Sequence, residues 1–257
     1  MIYFKYLKML IKCQTQYRVA MLMSTLGQFS VSFLYFLGMY FFFDRFGSVG
    51  GWSYHEVALC FGVAMCSFSL TECFVRGFDM FSQTVIKGDF DRIMLRPRST
   101  VLQVLGSNFD LSRSGRFIQG LGVLIIALNG LTLPTGGGLM IPLMILSGAT
   151  IFAGLFVLGA TICFFTTEGL EVVNVFTDGG RELTSYPLTI YPKWLRTVFT
   201  FVIPFGCFNY LPLTYLVGRT EGFSLFYVLS PFIGMLFLPL SFLVWRVGVK
   251  HYLSTGS

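Results

Sequence analysis

The sequence predicts an all-α integral membrane protein of about six transmembrane helices, and three observations predict it. Of its 257 residues, 54% are hydrophobic and only 12% are charged, about half the charge that covers a soluble domain of this size. Charge-free runs long enough to cross a bilayer recur along the chain. The charges that remain gather in a few short segments, with mean hydropathy at +0.73. At about 20 apolar residues per crossing, the length holds roughly six spans and no separate soluble domain, so residues 1–257 read as one membrane domain.

Residues 1–18 form a basic arm with Lys5, Lys8, Lys12 and Arg18 and no acid. The apolar run behind it is too long for a signal core and lacks a small-residue cleavage site, so it reads as a retained first span. That span, Val19 to Phe43, is bounded by Arg18 on one side and Asp44 and Arg45 on the other. A glycine-rich connection, Phe46 to Trp52, leads into a second run from Tyr54 to Val75, forming a helical hairpin. Glu72 interrupts this run late and is expected to face protein or headgroups rather than lipid.

Phe117 to Thr167 carries no charge and is divided at Pro134-Thr135-Gly136-Gly137-Gly138, which reads as a second hairpin with a tight turn. The last run, Gly222 to Trp245, closes with Arg246 and Lys250; its Pro231 and Pro239 are tolerable bends where packed neighbours satisfy the freed backbone groups.

Residues 168–218 admit two topologies. In one, Thr197 to Gly218 is the fifth span and Glu168 to Arg196 is a cytoplasmic loop. In the other, a helix from Glu168 to Leu183 crosses, and the run broken by Pro204 and Pro212 re-enters from outside. Glu168, Glu171, Asp178 and Glu182 share one helical face, either a solvated surface or the lining of a polar path. A central charge exposed to lipid costs about 2.5 to 3.5 kcal/mol, which weighs against the crossing helix.

Thirteen of the eighteen Lys and Arg residues lie in the N-terminal arm, in the 76–116 segment and at Arg246 and Lys250. The positive-inside bias puts these segments and both termini in the cytoplasm. The net charge of +6 therefore reads as lipid-facing flanks, and nucleic-acid binding is not expected.

No catalytic fingerprint or phosphate loop is present. His55 and His251 stand far apart, and the six cysteines form no Cys-x-x-Cys pair, so neither catalysis nor a metal site is expected. The polar candidates for a cavity are Glu72, Glu168, Glu171, Asn174 and Asn209. The thirty phenylalanines and eleven methionines need no cargo site to explain them, since such residues fill helix contacts in any membrane bundle.

Between the second and third spans, Gln83 to Ser99 is more organised than a loop. Asp89 or Asp91 can cap a short helix in which Phe90, Ile93 and Met94 recur at helical spacing, Arg96 favours its C-terminal end and Pro97 stops it. A helix of this kind suits either the membrane surface or a groove on a soluble partner.

Gly88-Asp89-Phe90-Asp91-Arg92 followed by Leu95-Arg96-Pro97 resembles the permease subunits of ATP-binding-cassette type 2 transporters, in particular a six-span bacterial subgroup of roughly this length. So do Tyr186-Pro187-Leu188 with Ile190-Tyr191-Pro192 and Trp194-Leu195-Arg196, then Ile203-Pro204-Phe205 before Asn209-Tyr210-Leu211-Pro212, and the ending Tyr252-Leu253-Ser254-Thr255-Gly256-Ser257. The resemblance covers nearly the whole chain. It implies that residues 76–116 hold a coupling helix that docks into a cytoplasmic ATPase, with Phe90, Ile93 and Met94 as apolar contacts and Asp89, Asp91, Arg92 and Arg96 as the polar rim. A Phe90→Asp change would then uncouple transport and leave the spans folded.

The resemblance also implies an external, partly re-entrant segment before the last span. It implies a bacterial plasma-membrane location, a second permease as partner, and ATP and magnesium held by the ATPase rather than by this chain. The competing readings are a small dimeric secondary carrier or channel driven by an ion gradient, and a membrane scaffold that transports nothing.

Overall fold

A computed structural model describes residues 2–166, 170–220 and 224–252. Helix α1 (Ile2–Gln16) precedes the long α2 (Arg18–Phe46), which ends where Gly47 takes φ +75° and returns its N–H to Phe43. Only Ser32, Phe36, Met39 and Phe43 of α2 are buried. Their 4-3-4 spacing draws a single stripe down one face.

The 47–53 loop contains two further positive-φ residues, Gly50 and Gly51, and closes through paired backbone bonds between Val49 and Trp52. It delivers α3 (Tyr54–Phe74), whose start is a capping box: the Ser53 N–H donates to Glu56 Oε2 at 2.7 Å. Helix α3 is apolar on every side because it is the centre of the bundle, with nearly all its residues buried.

Between α3 and the next long helix, the chain folds into four short helices, α4 (Arg76–Asp79), α5 (Phe81–Ile86), α6 (Asp89–Met94) and α7 (Thr100–Leu105). Gly77 lets α4 lie against α7, since a Cβ there would sit 1.8 Å from the Val104 carbonyl oxygen. The cap of α6 is Gly88 in the left-handed region; neither Asp89 nor Asp91 caps it, and both fall in its first turn, where Asp89 pairs with Arg92 at 3.5 Å. This corrects the expected aspartate cap. Space does not demand glycine at this α5–α6 corner, since a Cβ there would meet nothing within 4 Å; the positive φ of 69° does.

Helix α8 (Ser114–Asn129) packs closely on α3. A Cβ on Gly62 would come within 2.7 Å of Leu124, and one on Gly120 within 2.9 Å of Cys66 Sγ; small residues bring membrane helices into such contact. Helix α9 (Gly137–Ile162) follows the predicted turn, and α10 (Leu170–Thr184), α11 (Lys193–Phe201), α12 (Leu211–Leu216), α13 (Ser224–Met235) and α14 (Phe237–Lys250) complete the chain. Helices α13 and α14 together form one span-length element.

Among the described residues, five elements are long and apolar enough to cross a membrane, and the bent pair Lys193–Phe201 with Gly206–Leu216, turned by 90°, would make a sixth by composition. The contacts distribute these segments differently. One end of the bundle carries the 47–53 loop, and the other carries the basic 76–110 segment. Asn174, Thr177 and Asp178 of α10 lie beside Glu72 at the basic end, while Trp52 Nε1 donates to Thr189 Oγ1 at 2.8 Å just beyond the other end of α10.

Helix α10 therefore runs from end to end. The bent pair starts and finishes at the loop end, where Leu216 reaches Gly137 and Arg219 donates to the Gly51 carbonyl at 3.0 Å. At the bottom of the bend Phe205 meets Phe152, midway along α9, at 5.3 Å. Thr197 to Gly218 thus starts and finishes at one end of the bundle, while α2, α3, α8, α9, α10 and α13–α14 run between the two ends.

Candidate functional site

A lone carboxylate late in an apolar span needs a cation, and α8 supplies two. Glu72 accepts from Arg116 at 2.5 Å and pairs with Arg113 at 3.0 Å and Arg76 at 3.7 Å. Arg116 also donates to Gln28 Oε1 of α2 at 2.7 Å, Arg113 pairs with Asp110 at 3.0 Å, and Arg76 binds Asp79. One network thus ties α2, α3, α4 and α8 together at the basic end, and it brackets the 76–110 segment at both its entry and its exit.

Asp110 accepts from Ser112 and Arg113. Burial pushes its carboxyl up, but these bonds and the charge of Arg113 outweigh burial and hold it below the ordinary carboxylate range. Asp79 goes the other way: burial raises it above that range, Arg76 opposes the rise, and the nearby charge of Asp178 adds to it.

The network forms one wall of a cavity of about 340 Å³. Phe68 and Phe156 contribute apolar surface, Ser82 and Gln83 come from α5, and Asn174, Thr177 and Asp178 come from α10. The guanidiniums of Arg116 and Arg181 lie 5.7 Å and 5.3 Å from the Phe68 ring centroid.

Of the expected cavity residues, the structure brings Glu72 and Asn174 together here. Glu168 lies outside the described residues, as does the side chain of Glu171. Asn209 is elsewhere, which corrects its place in the set: its amide donates to the carbonyls of Cys60 at 3.2 Å and Thr184 at 2.5 Å, tying the end of α10 to α3. Arg113, Arg116, Asp79 and Ser82 were missed, whereas Asp178 stands on the acidic face that the sequence offers as either a solvated surface or a polar lining. The signal for the arginines was the need of Glu72 for a counter-ion just where the next charge-free run begins.

The 83–99 segment also divides differently from its apolar spacing. Phe90 is 0% exposed. Its ring packs on Phe81, Phe164 and Tyr252 at 5.2, 5.2 and 4.9 Å, with Trp245 beside them. It cannot be a surface contact, because this aromatic knot joins α5 and α6 to the end of α9 and to α14. Ile93 is partly buried against the same core.

Outward-facing apolar groups on this segment are Met94 and two residues that the spacing did not single out, Leu95 at 85% and Ile86 at 63% exposure. Arg92 and Arg96 are exposed around them, whereas Asp89 and Asp91 are half-buried.

At the loop end, Arg219 pairs with Glu56 at 2.9 Å and lies over Trp52, 4.4 Å from the ring centroid. With the Trp52–Thr189 bond, this holds both ends of the return loop to the turn between α2 and α3.

A family model described as "ABC-2 family transporter protein" matches residues 29–256. The chain belongs to that family. No curated protein and no solved structure matches it. For an ABC-2 transporter protein the end-to-end helices are the membrane-embedded part of a transport permease, and the basic segment, knot and cavity are features of one face of that permease.

Proposed function

We propose that this ABC-2 permease is the membrane subunit of an ATP-driven exporter, with residues 76–110 receiving the motion of a cytoplasmic ATPase. ABC-2 permeases normally work with such a subunit. The basic end is then cytoplasmic, since it gathers the arginines of the 76–116 segment with Arg246 and Lys250. The plasma membrane of a bacterium is the expected setting, with ATP and magnesium bound by the ATPase. A second permease would pair across the exposed apolar sides of α2 or α13–α14, which bury little within one chain.

The observation that carries the reading is the outward apolar ridge of Ile86, Met94 and Leu95 on a segment pinned from behind. Exposed apolar groups with a basic rim suit insertion into a groove on a soluble partner. Phe90, wedged among rings from α9 and α14, gives that ridge a stiff backing. A push on the ridge would move the knot, and through it two membrane-crossing elements.

The test is co-purification of the permease with the ATPase expressed from the same cells. Leu95→Asp is expected to lower recovery of the ATPase at least tenfold while the permease elutes and melts as before. Unchanged recovery from Leu95→Asp together with Met94→Asp would remove the ridge from the coupling surface.

A further inference from the structure

We propose that the polar cavity at the basic end is a cargo-binding vestibule for a small, donor-rich molecule, uncharged or singly cationic, of the amino-sugar kind. This rests on the exporter reading and adds the chemistry of what is carried. The cavity has two unlike walls. On one, each guanidinium is already engaged: Arg76 by Asp79 and Glu72, Arg113 by Asp110 and Glu72, Arg116 by Glu72 and Gln28. An incoming anion would meet guanidiniums whose charge these carboxylates already offset.

The other wall is open. Among the described residues, the side chains of Ser82, Gln83, Asn174 and Asp178 make no hydrogen bond or ion pair with protein, although all four line the cavity. Ser82 is 5% exposed, so its hydroxyl is nearly cut off from solvent except through the cavity, and buried polar groups ordinarily find a partner. Among the described residues, Asp178 is the lining carboxylate in no direct ion pair, with the charge of Arg116 acting on it only at longer range.

Among the described residues the lining carries three carboxylates, Glu72, Asp79 and Asp178, against three guanidiniums, and the charge outside any direct ion pair is negative. A hydroxyl, two amides and a carboxylate accept from hydroxyl and ammonium groups. The volume of about 340 Å³ lies near the small end of ligand pockets, roughly 300–1,000 Å³, which fits one sugar-sized molecule. The cavity opens beside the segment that the ATPase would move, so occupancy and coupling share a wall at Arg76 and Asp79.

The experiment uses the purified full-length permease in lipid nanodiscs and three probes of one size and different charge: glucosamine, glucose and glucuronate. Equilibrium dialysis is expected to rank glucosamine above glucose, with glucuronate unbound. Asp178→Asn, an isosteric change at an exposed side chain, should lower glucosamine affinity about tenfold to that of glucose. Gln83→Met should weaken both sugars and keep their ratio.

Binding of none of the probes, preference for glucuronate, or an Asp178→Asn protein that still prefers glucosamine would each overturn the proposal. Because the permease is assayed without its ATPase, failure here leaves ATPase recovery as a separate result. A wild-type permease that binds glucosamine yet recovers no ATPase would instead remove the exporter reading.

Discussion

Glu72 shows what a single buried charge controls. It is 5% exposed and meets three arginines, so removing it leaves guanidiniums facing one another in a site that excludes most water. Breaking a buried pair from one side costs about 3–5 kcal/mol. Glu72→Ala is therefore expected to lower the thermal midpoint of the solubilised permease sharply, and Arg116→Met to do so as well. The double variant should lose clearly less than the sum, because it no longer strands the Arg116 charge; losses that add to within about 0.5 kcal/mol would show that the two do not act as a pair. Half of this site was legible in the sequence. A lone acid in an apolar run announces itself, but its partner Arg116 lies 44 residues away, and no periodicity connects separate helices.

The 83–99 segment, proposed to couple the permease to an ATPase, shows the same limit on the scale of an element. Its existence, its short helix and its stop before Pro97 follow from local spacing. Which side of the helix faces inward does not, because Phe90, Ile93 and Met94 are all apolar at helical intervals, and only the rings of Phe164, Trp245 and Tyr252 decide that Phe90 is interior. Phe90→Asp is consequently expected to cost the folded protein rather than coupling alone; truncating a buried phenylalanine already costs about 3–5 kcal/mol in well-packed cores. The informative change is Tyr252→Ala, which thins the knot from the far side while Phe81 and Phe164 still hold Phe90. Reconstituted with the ATPase, this variant should bind it normally and hydrolyse ATP, yet transport several-fold less per ATP than wild type. Unchanged transport per ATP would mean that motion reaches the spans without passing through the knot.

On the scale of the whole molecule, hydropathy picks out the elements that are apolar throughout and passes over α10, which runs between the same two ends of the bundle. Helix α10 is only 15 residues long, about 22 Å at 1.5 Å per residue. It carries Asp178, Arg181 and Glu182, a load costing about 2.5 to 3.5 kcal/mol per central charge if turned to lipid. The structure avoids that cost by position: Asp178 lines the cavity, and Arg181 pairs with Glu182 at 2.5 Å beneath the Phe68 ring. The more apolar 193–216 stretch, which resembles a span by composition, spends itself on a descent to Phe205 and a return to Arg219. Side-specific labelling separates the two arrangements. Cys13 is the exposed cysteine among the described residues, so Cys13→Ser provides the background. On intact cells an impermeant maleimide should label Lys193→Cys as readily as Thr135→Cys in the α8–α9 turn, while Arg98→Cys should react only after the membrane is opened. If Lys193→Cys behaved like Arg98→Cys, α10 would not cross, the return loop would be a span, and the cavity wall formed by Asn174 and Asp178 would have to be rebuilt from a different fold of the chain.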